Sequence, residues 1–356
     1  MAPVLQGLAN TAGIQSLVCV TAQHRQMLDQ VLNLFEIKPD VDLDLMQPNQ
    51  TLAGITAAIF THLDPVLKYL KPDWVLAQGD TTTVMAAAIL TYYNRIKFGH
   101  IEAGLRTGDK YEPFPEEINR MVAAVSADLH FAPTEWARQN LLKENVPAGR
   151  IMVTGNTVID AIQQVVNKPA PAEMTRFLAS FENKKLILVT AHRRENFGQP
   201  LENICAALAA LVQTYGDKIH IVYPVHLNPN VKDVVHARLE RFHENISLLP
   251  PLDYLPMVHL MKHASLVLTD SGGIQEEAPS LGVPVLVLRA ATERPEGIAA
   301  GTVRLVGTQT TDILSAAREL LDDPAKYESM ARAVNPYGDG HASERIVQAI
   351  LNYRVS

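Results

Sequence analysis

The stretch VLTDSGGIQEEAPSLGVPVLVL, residues 267–288, decides how the rest of the chain is read. An apolar run ends at Thr269, Ser271-Gly272-Gly273 make a turn, a helical segment follows, and a second apolar run closes at Leu288. Strand, turn, helix and strand in so short a span are how a parallel sheet with a crossover helix reads, because parallel neighbours can only be joined by a long return. Glycines without side chains let the backbone approach a diphosphate, and the helix start behind them offers free N–H groups and the positive end of its dipole.

Outward from this segment the same rhythm recurs. Strands are expected at Leu186–Thr190, His220–Tyr223, Ile246–Leu249, Leu266–Thr269, Val283–Leu288 and Val303–Val306. In the first half they are expected at Leu17–Thr21, Trp74–Gln78, Ile96–Ile101, Leu129–Ala132 and Ile151–Thr154, with helices such as Thr83–Tyr93 and Glu116–Ala127 between them. The proline-rich NKPAPAE, residues 167–173, breaks the pattern as a linker would. The fold class is therefore α/β, with two Rossmann-like doubly wound domains facing a central cleft. Residues 1–166 form the first domain, 174–339 the second, and the final helix 340–356 is expected to pack back on the first. A chain of 356 residues suits two cores.

A hydrophobic content of 47% and a charged content of 19% describe a globular protein, and a net charge of −7 without a basic stripe argues against a nucleic-acid partner. No apolar run reaches the roughly 20 residues of a membrane helix, and the first residues form no signal peptide, so the cytoplasm is the expected compartment. Cys19 and Cys205 each sit in an apolar segment and read as small core fillers. Residues 1–9 read as a helix, with Met1, Val4, Leu5 and Leu8 on one face. Doubly wound domains normally begin with a central strand, without which neighbouring strands lose partners on their inner edges.

Three carboxylates draw attention in the first half. WVLAQGDTTTVMAAAIL (74–90) places Asp80 at a strand's C-terminal end, and FGHIEAGLRTGD (98–109) places Glu102 at the next, followed by Gly104 for a sharp turn. Either carboxylate alone reads sooner as a cap or turn residue than as a catalyst; equivalent positions on successive strands shift the reading toward chemistry. In PFPEEINRMVAAV (113–125) Glu116, Asn119 and Arg120 share a helix face, while Ile118, Val122 and Val125 are expected to turn to the core. In the second half LILVTAHRRENFG (186–198) puts His192, Arg193 and Arg194 at a strand exit, suited to an anion, and Glu276, Glu277 and Arg294 accompany the Ser-Gly-Gly turn. His259 and His263 have the spacing of a zinc pair, but HLMKH lacks the zinc-protease glutamate and no metal is expected; neither dinucleotide nor Walker glycine patterns occur.

Taken together, VTAQHRQMLDQ, GDTTT, GHIEAGLRTGD, PEEINR, TGNTVIDA, AHRREN, YPVHLNPNV, TDSGGIQEEAPSLGVPVLVLR, TERPEG and NPYGDGHASERI, in order over nearly the whole chain, resemble the bacterial non-hydrolysing UDP-N-acetylglucosamine 2-epimerases. The resemblance implies a GT-B-like homodimer that interconverts UDP-N-acetylglucosamine and UDP-N-acetylmannosamine for surface polysaccharides. No redox cofactor is implied, since UDP leaves carbon 1 as a base takes the carbon 2 proton, giving 2-acetamidoglucal, and then returns. On this resemblance Asp80 and Glu116 move protons, Glu102 holds the sugar, Arg120 orients Glu116 and His192 stabilises departing UDP. Ser271, Gly272 and Gly273 would cradle phosphates, Glu277 the ribose and Arg294 the anionic or sugar portion, with Leu252 and Met257 beside the uracil. Gln23, Gln26 and His226 match a regulatory UDP-N-acetylglucosamine site of some relatives, although Asn49 stands where those have arginine. Members of the family usually open with a strand and a G-T-R-P-E-A-I-K loop that brings an arginine and a lysine near the nucleotide. This sequence opens just after that point, so a start of about 15 residues upstream of Met1 is expected, and activity of the shorter chain is in question. A UDP-sugar-dependent GT-B glycosyltransferase, a hydrolysing 2-epimerase and an inactive UDP-sugar-binding protein are the competing readings.

Overall fold

The computed structural model describes residues 1–22, 25–47 and 50–353, without the side chains of residues 26 and 27. The chain divides into two compact units, residues 1–161 with 338–356 and residues 162–337, each described here by itself.

The first unit opens with helix α1 (Ala2–Ala9), strand β1 (Cys19–Val20), α2 (Arg25–Leu34), β2 (Val41–Asp42) and α3 (Leu52–Leu70). It continues through β3 (Trp74–Gln78), α4 (Thr82–Asn94), β4 (Lys97–Ile101), α5 (Glu116–Ser126), β5 (Leu129–Ala132), α6 (Glu135–Lys143) and β6 (Ile151–Val153). Strands β3, β4, β5 and β6 lie side by side, all parallel, while β1 and β2 form a separate parallel pair. Among the described residues β3 has a sheet partner on its β4 side alone. On one face Phe98 meets Ile59 and Leu63 of α3, Val84 and Ala88 of α4 and Ala123 of α5. The other face, with Ile101, Leu129 and Phe131, is covered by Val4 and Leu8 of α1 and by Ile346 and Val347 near the C-terminus. The two faces alternate along a strand as the pleat requires.

Helix α7 (Thr157–Val165) spans the point where the units divide, and α8 (Ala172–Ala179) begins inside the proline-rich stretch. The second unit then runs β7 (Lys185–Thr190), α9 (Gln199–Tyr215), β8 (Ile219–Pro224), α10 (Pro229–Leu239), β9 (Ile246–Leu249) and α11 (Tyr254–His263). After these come β10 (Leu266–Thr269), α12 (Gly272–Ser280), β11 (Val285–Val287), α13 (Pro295–Ala300), β12 (Val303–Leu305), α14 (Thr310–Asp322) and α15 (Pro324–Ala331), and α16 (Ala342–Asn352) rejoins the first unit. The sheet order is β12-β11-β10-β7-β8-β9, all parallel. The chain winds outward from β7 in one direction, returns to β10 on β7's other side, and winds outward again. The crevice at the C-terminal ends of β7 and β10 is thus the topological switch point, where such sheets take ligands. Consecutive residues of these strands, Ile187, Leu188 and Val189 among them, are fully buried, as a strand covered on both faces demands.

Three expectations are corrected. Ile118 and Val125 do not face the core: they are 41% and 89% exposed, whereas Asn119, Arg120, Ala123 and Ala124 are buried. Helix α5 turns its polar side inward because Asn119 and Arg120 find hydrogen-bond and ion-pair partners there. Cys19 is exposed while Cys205 is buried, since the two-residue β1 shows one side chain to each face and only Val20 is covered. The expected strand at Val283 begins two residues later, at Val285, after Pro284, which cannot donate to a ladder. Gly104 has φ +89°, and a Cβ there would lie 2.2 Å from the carbonyl oxygen of Ala137. Both constraints exclude any other residue: positive φ costs roughly 1–2 kcal/mol and the backbone clash about 1–3 kcal/mol. G104A is therefore expected to lower stability by about 2–5 kcal/mol in urea unfolding, while G149A, in open space with no positive φ, stays within about 0.5 kcal/mol.

Candidate active site

The register Gln78↔Ile101 sets the ends of β3 and β4 side by side, so Asp80 and Glu102 leave the sheet as neighbours. Gly79 turns the chain at φ +87°, and a Cβ on it would lie 3.7 Å from Glu102 Oε2. The carbonyl of Gly79 accepts from Nε2 of His100 at 2.7 Å. His100 is fully enclosed, and burial foremost lowers its pKa to about 4, so this ring is a neutral, fixed donor at the base of the turn. Glu102 itself has φ +66°, a conformation costing a non-glycine residue roughly 1–3 kcal/mol. Gln78 Nε2 donates to its Oε2 at 3.3 Å, and Gln78 Oε1 accepts from Thr157 Oγ1 at 3.1 Å.

Helix α5 completes this cluster. Asn119 Nδ2 donates to the backbone carbonyl of Asp80 at 2.9 Å, and Arg120 Nη2 donates to Asp80 Oδ2 at 2.6 Å. The guanidinium is 8% exposed and the Asp80 side chain 32%, so the pair is anchored on the inside and reachable from the outside. Arg120 does not orient Glu116. Its second partner is Glu117, 3.4 Å from Nη1, because one residue further along the helix rotates the side chain toward the interior. Glu117, 1% exposed, also accepts from the amides of Thr107 and Gly108, tying the loop after β4 to the helix. The first of the two glutamates, Glu116, stands half-buried at the start of α5. The sequence offered Glu117 only as the second letter of a Pro-Glu-Glu start; its burial is a tertiary fact.

In the second unit the switch point gathers a second cluster. The Thr190 and Thr269 hydroxyls meet at 2.6 Å across the register that pairs them. Beyond them His192 leaves β7, with its ring stacked on His226 at 5.4 Å between centroids and 14° between planes. Burial, the neighbouring His226 and Arg193 lower the His192 pKa from its ordinary value, while Asp270 works in the opposite direction. His226 thus lies against His192; its companions for a regulatory site, Gln23 and the Gln26 side chain, and Asn49 lie outside the described residues. His259 and His263 are engaged elsewhere, with the carbonyls of Lys168 and His259.

Ser271 precedes α12 and Gly272 and Gly273 open it. The two glycines serve different ends. A Cβ on Gly272 would lie 2.5 Å from Arg294 Nη1, so its bareness makes room for a guanidinium, whereas Gly273 faces open space among the described residues. Arg294 is held by Glu276 Oε1 at 2.5 Å and Glu293 Oε1 at 2.8 Å. Burial opposes charge on Glu293, but Arg294, its own backbone amide, Arg289 and Arg193 outweigh it and hold the carboxyl at about 2. One turn along α12, Glu277 is 9% exposed and accepts from the Tyr254 hydroxyl at 3.2 Å. Burial, against the Tyr254 hydrogen bond and with help from Glu276, pushes Glu277 up to about 8. Leu252 and Met257, half-buried, flank Tyr254 in sequence. Tyr254 was not visible as a site residue, since nothing in the sequence ties it to Glu277.

The comparisons with known proteins converge. A family model for UDP-N-acetylglucosamine 2-epimerase matches residues 6–351. The chain is 55% identical over 362 residues to the UDP-N-acetylglucosamine 2-epimerase of Yersinia pestis, covering 100% of this chain and 96% of that protein. To the Escherichia coli K12 enzyme of the same name it is 54% identical over 362 residues, with the same coverage of 100% and 96%. Among solved structures it is similar to the Neisseria meningitidis UDP-GlcNAc 2-epimerase bound to UDP-GlcNAc, at 49% identity and TM-score 0.91, covering 99% of this chain and 96% of that one. The Methanocaldococcus jannaschii enzyme in complex with UDP-GlcNAc and UDP follows at 31% identity and TM-score 0.78, covering 98% and 95%. The fold is accordingly α/β and GT-B-like. With a family model spanning nearly the whole chain and relatives more than half identical along all of it, the chain belongs to the UDP-N-acetylglucosamine 2-epimerases, a family of isomerases.

Proposed function

We propose that this protein epimerises UDP-N-acetylglucosamine reversibly at carbon 2, giving UDP-N-acetylmannosamine. The observation that carries the reading beyond family membership is the set of carboxylates at the ends of β3 and β4 and the start of α5, with Gly79 against Glu102 and the next residue, Asp80, braced by Arg120. The carbon to be inverted has no adjacent carbonyl to acidify its proton, so elimination is the accessible route. The carbon 1–oxygen bond breaks, UDP carries away the electron pair, a carboxylate takes the carbon 2 proton, and a double bond forms between carbons 1 and 2. Return of a proton to the opposite face of carbon 2 and of UDP to carbon 1 inverts the centre without a redox cofactor. Two faces require two proton-handling groups, and Asp80 and Glu116 are our assignment, with Glu102 positioning the sugar.

The second unit supplies the complementary chemistry in this reading. His192 meets the charge of departing UDP, Ser271 and Gly273 at the α12 start receive phosphate oxygens, and Glu277 faces ribose hydroxyls. Leu252 and Met257 line the base. Arg294, already neutralised by two carboxylates, serves better as a fixed wall under Gly272 than as a free anion receptor. No helix among the described residues is long and apolar enough to cross a membrane, and the free thiols of Cys19 and Cys205 suit the cytoplasm, where the product would feed surface polysaccharide assembly. The outward face of α5, with Ile118, Met121 and Val125 exposed in register, supports a homodimer contact.

Proton NMR in deuterium oxide tests the reaction. Deuterium is expected at carbon 2 together with UDP-N-acetylmannosamine; accumulation of free UDP with N-acetylmannosamine, or turnover only with an acceptor sugar, would overturn the reading. E116Q and D80N should each lower kcat by roughly 100-fold or more. Double replacement I118E/V125E should shift the protein to monomer in sedimentation, and an unchanged oligomer would remove α5 from the contact. Glu277 also makes stability depend on pH. Its folded carboxyl holds a proton up to about 8 against the ordinary 4.5, so its contribution is fully present below about 4.5 and is lost as pH rises toward 8. E277Q should flatten that part of the profile of unfolding free energy against pH.

A further inference from the structure

The central strands of the second unit end in a buried carboxylate that no part of the reading above employs. Asp270, immediately after β10, is fully buried. Its Oδ2 accepts from the backbone N–H groups of His192 and Arg193, each at 2.8 Å, and from Asn196 Nδ2 at 2.9 Å. Asn196 is itself fixed by a second donation, to the carbonyl of Leu288 at 3.1 Å. The loop after β7 is also pinned at its base, where the hydroxyl of Tyr223 donates to the carbonyl of Ala191 at 2.7 Å. Three donors on one oxygen explain how Asp270 holds the loop. They leave the other oxygen unexplained: Oδ1 is buried, has no hydrogen-bond partner among the described residues, and lies 3.7 Å from Nδ1 of His192.

An unpaired buried carboxylate oxygen is costly unless a partner arrives during function. The imidazole is the group placed to become that partner. Asp270 touches it from β10, the His226 ring stacks on it from the end of β8, and Arg193, next in the chain, is drawn aside to Glu293 at 3.3 Å. We propose that Asp270 is a positioning residue that sets the tautomer of His192: Oδ1 accepts from Nδ1–H, which leaves Nε2 to take up a proton when a diphosphate binds. The imidazolium so formed has a negative oxygen on each side, the carboxylate behind it and the diphosphate before it. Contact distances of this kind shorten as the ligand arrives. The inference rests on the reading of His192 as the group that meets the departing diphosphate.

Asp270→Asn is the informative variant. Its amide must present oxygen to the three N–H donors that Oδ2 now satisfies, so its NH2 takes the place of Oδ1 and points an N–H at Nδ1. The loop is kept, but Nδ1 is forced to be the bare nitrogen and the second proton is opposed. Nitrogen-15 NMR of histidine-labelled protein, with His192 assigned through H192Q, reads this directly. In the unaltered protein the neutral ring should carry its proton on Nδ1 and become doubly protonated on addition of UDP near neutral pH. In D270N the proton should move to Nε2, UDP should no longer produce the imidazolium, and kcat should fall roughly 100-fold with KM changed less than about threefold. A neutral Nε2–H ring in the unaltered protein would overturn the proposal without recourse to any variant, and so would a D270N ring that titrates as before. Full activity in H192Q with the Nδ1–H tautomer confirmed would instead count against the reading of His192 and leave the pairing with Asp270 standing.

Discussion

In each unit the parallel register of two neighbouring strands brings together loops that are far apart in sequence, and the chemistry of the molecule hangs on that pairing. Gln78 opposite Ile101 puts Asp80 beside Glu102, and Thr190 opposite Thr269 puts His192 beside Asp270. A parallel ladder ends on the same side for every strand, so all the exits open in one direction and polar residues accumulate there. The ladder is rigid because its strands are buried, and the loops inherit that rigidity only where buried polar atoms tie them down. His100 on the Gly79 carbonyl and Asp270 on the amides after β7 are such ties.

Charge burial is managed by sharing. Arg120 lies between Asp80 and Glu117, and Glu117 spends its remaining capacity on two loop amides. A buried carboxylate stripped of its counter-charge costs several kcal/mol, so removing Arg120 would leave Glu117 uncompensated rather than merely delete a contact. The same economy governs Arg294, Glu276 and Glu293, where mutual neutralisation leaves the region around the α12 start set more by shape and backbone dipoles than by free charge. Inverting α5, polar side inward and apolar side outward, is the consequence. A helix that turns Asn119 and Arg120 toward the sheet exits leaves Ile118 and Val125 exposed.

Much of this was legible in residue order. Alternating apolar runs and helical periods gave β3, β5, β9 and β10 at the residues expected, and β7 one residue longer, because a doubly buried strand needs an unbroken apolar run and a turn residue at its end. Asp80, Glu102, His192 and Ser271 were identifiable because each stands at the end of such a run. The helix at residues 2–9 was readable from its spacing. Where local pattern and tertiary demand diverged, local pattern failed. Apolar spacing pointed Ile118 and Val125 inward, but the buried ion pair of Arg120 turned the helix over, and an apolar neighbourhood could not tell Cys19 on a two-residue strand from Cys205 in a helix core.

What the sequence by itself determined, then, is the class of fold and the residues that stand at strand ends, which follow from period and turn chemistry, and the family, which its ordered motifs resemble. The tertiary structure alone decided which of those residues touch. Glu117, Tyr254 and Asp270 carry no mark in the sequence, because their significance comes from a partner 3 to 78 residues away: Arg120 for Glu117, Glu277 for Tyr254, His192 for Asp270. A carboxylate's role is set by the donors and charges within a few ångströms of it, and those distances exist only once the strands have paired.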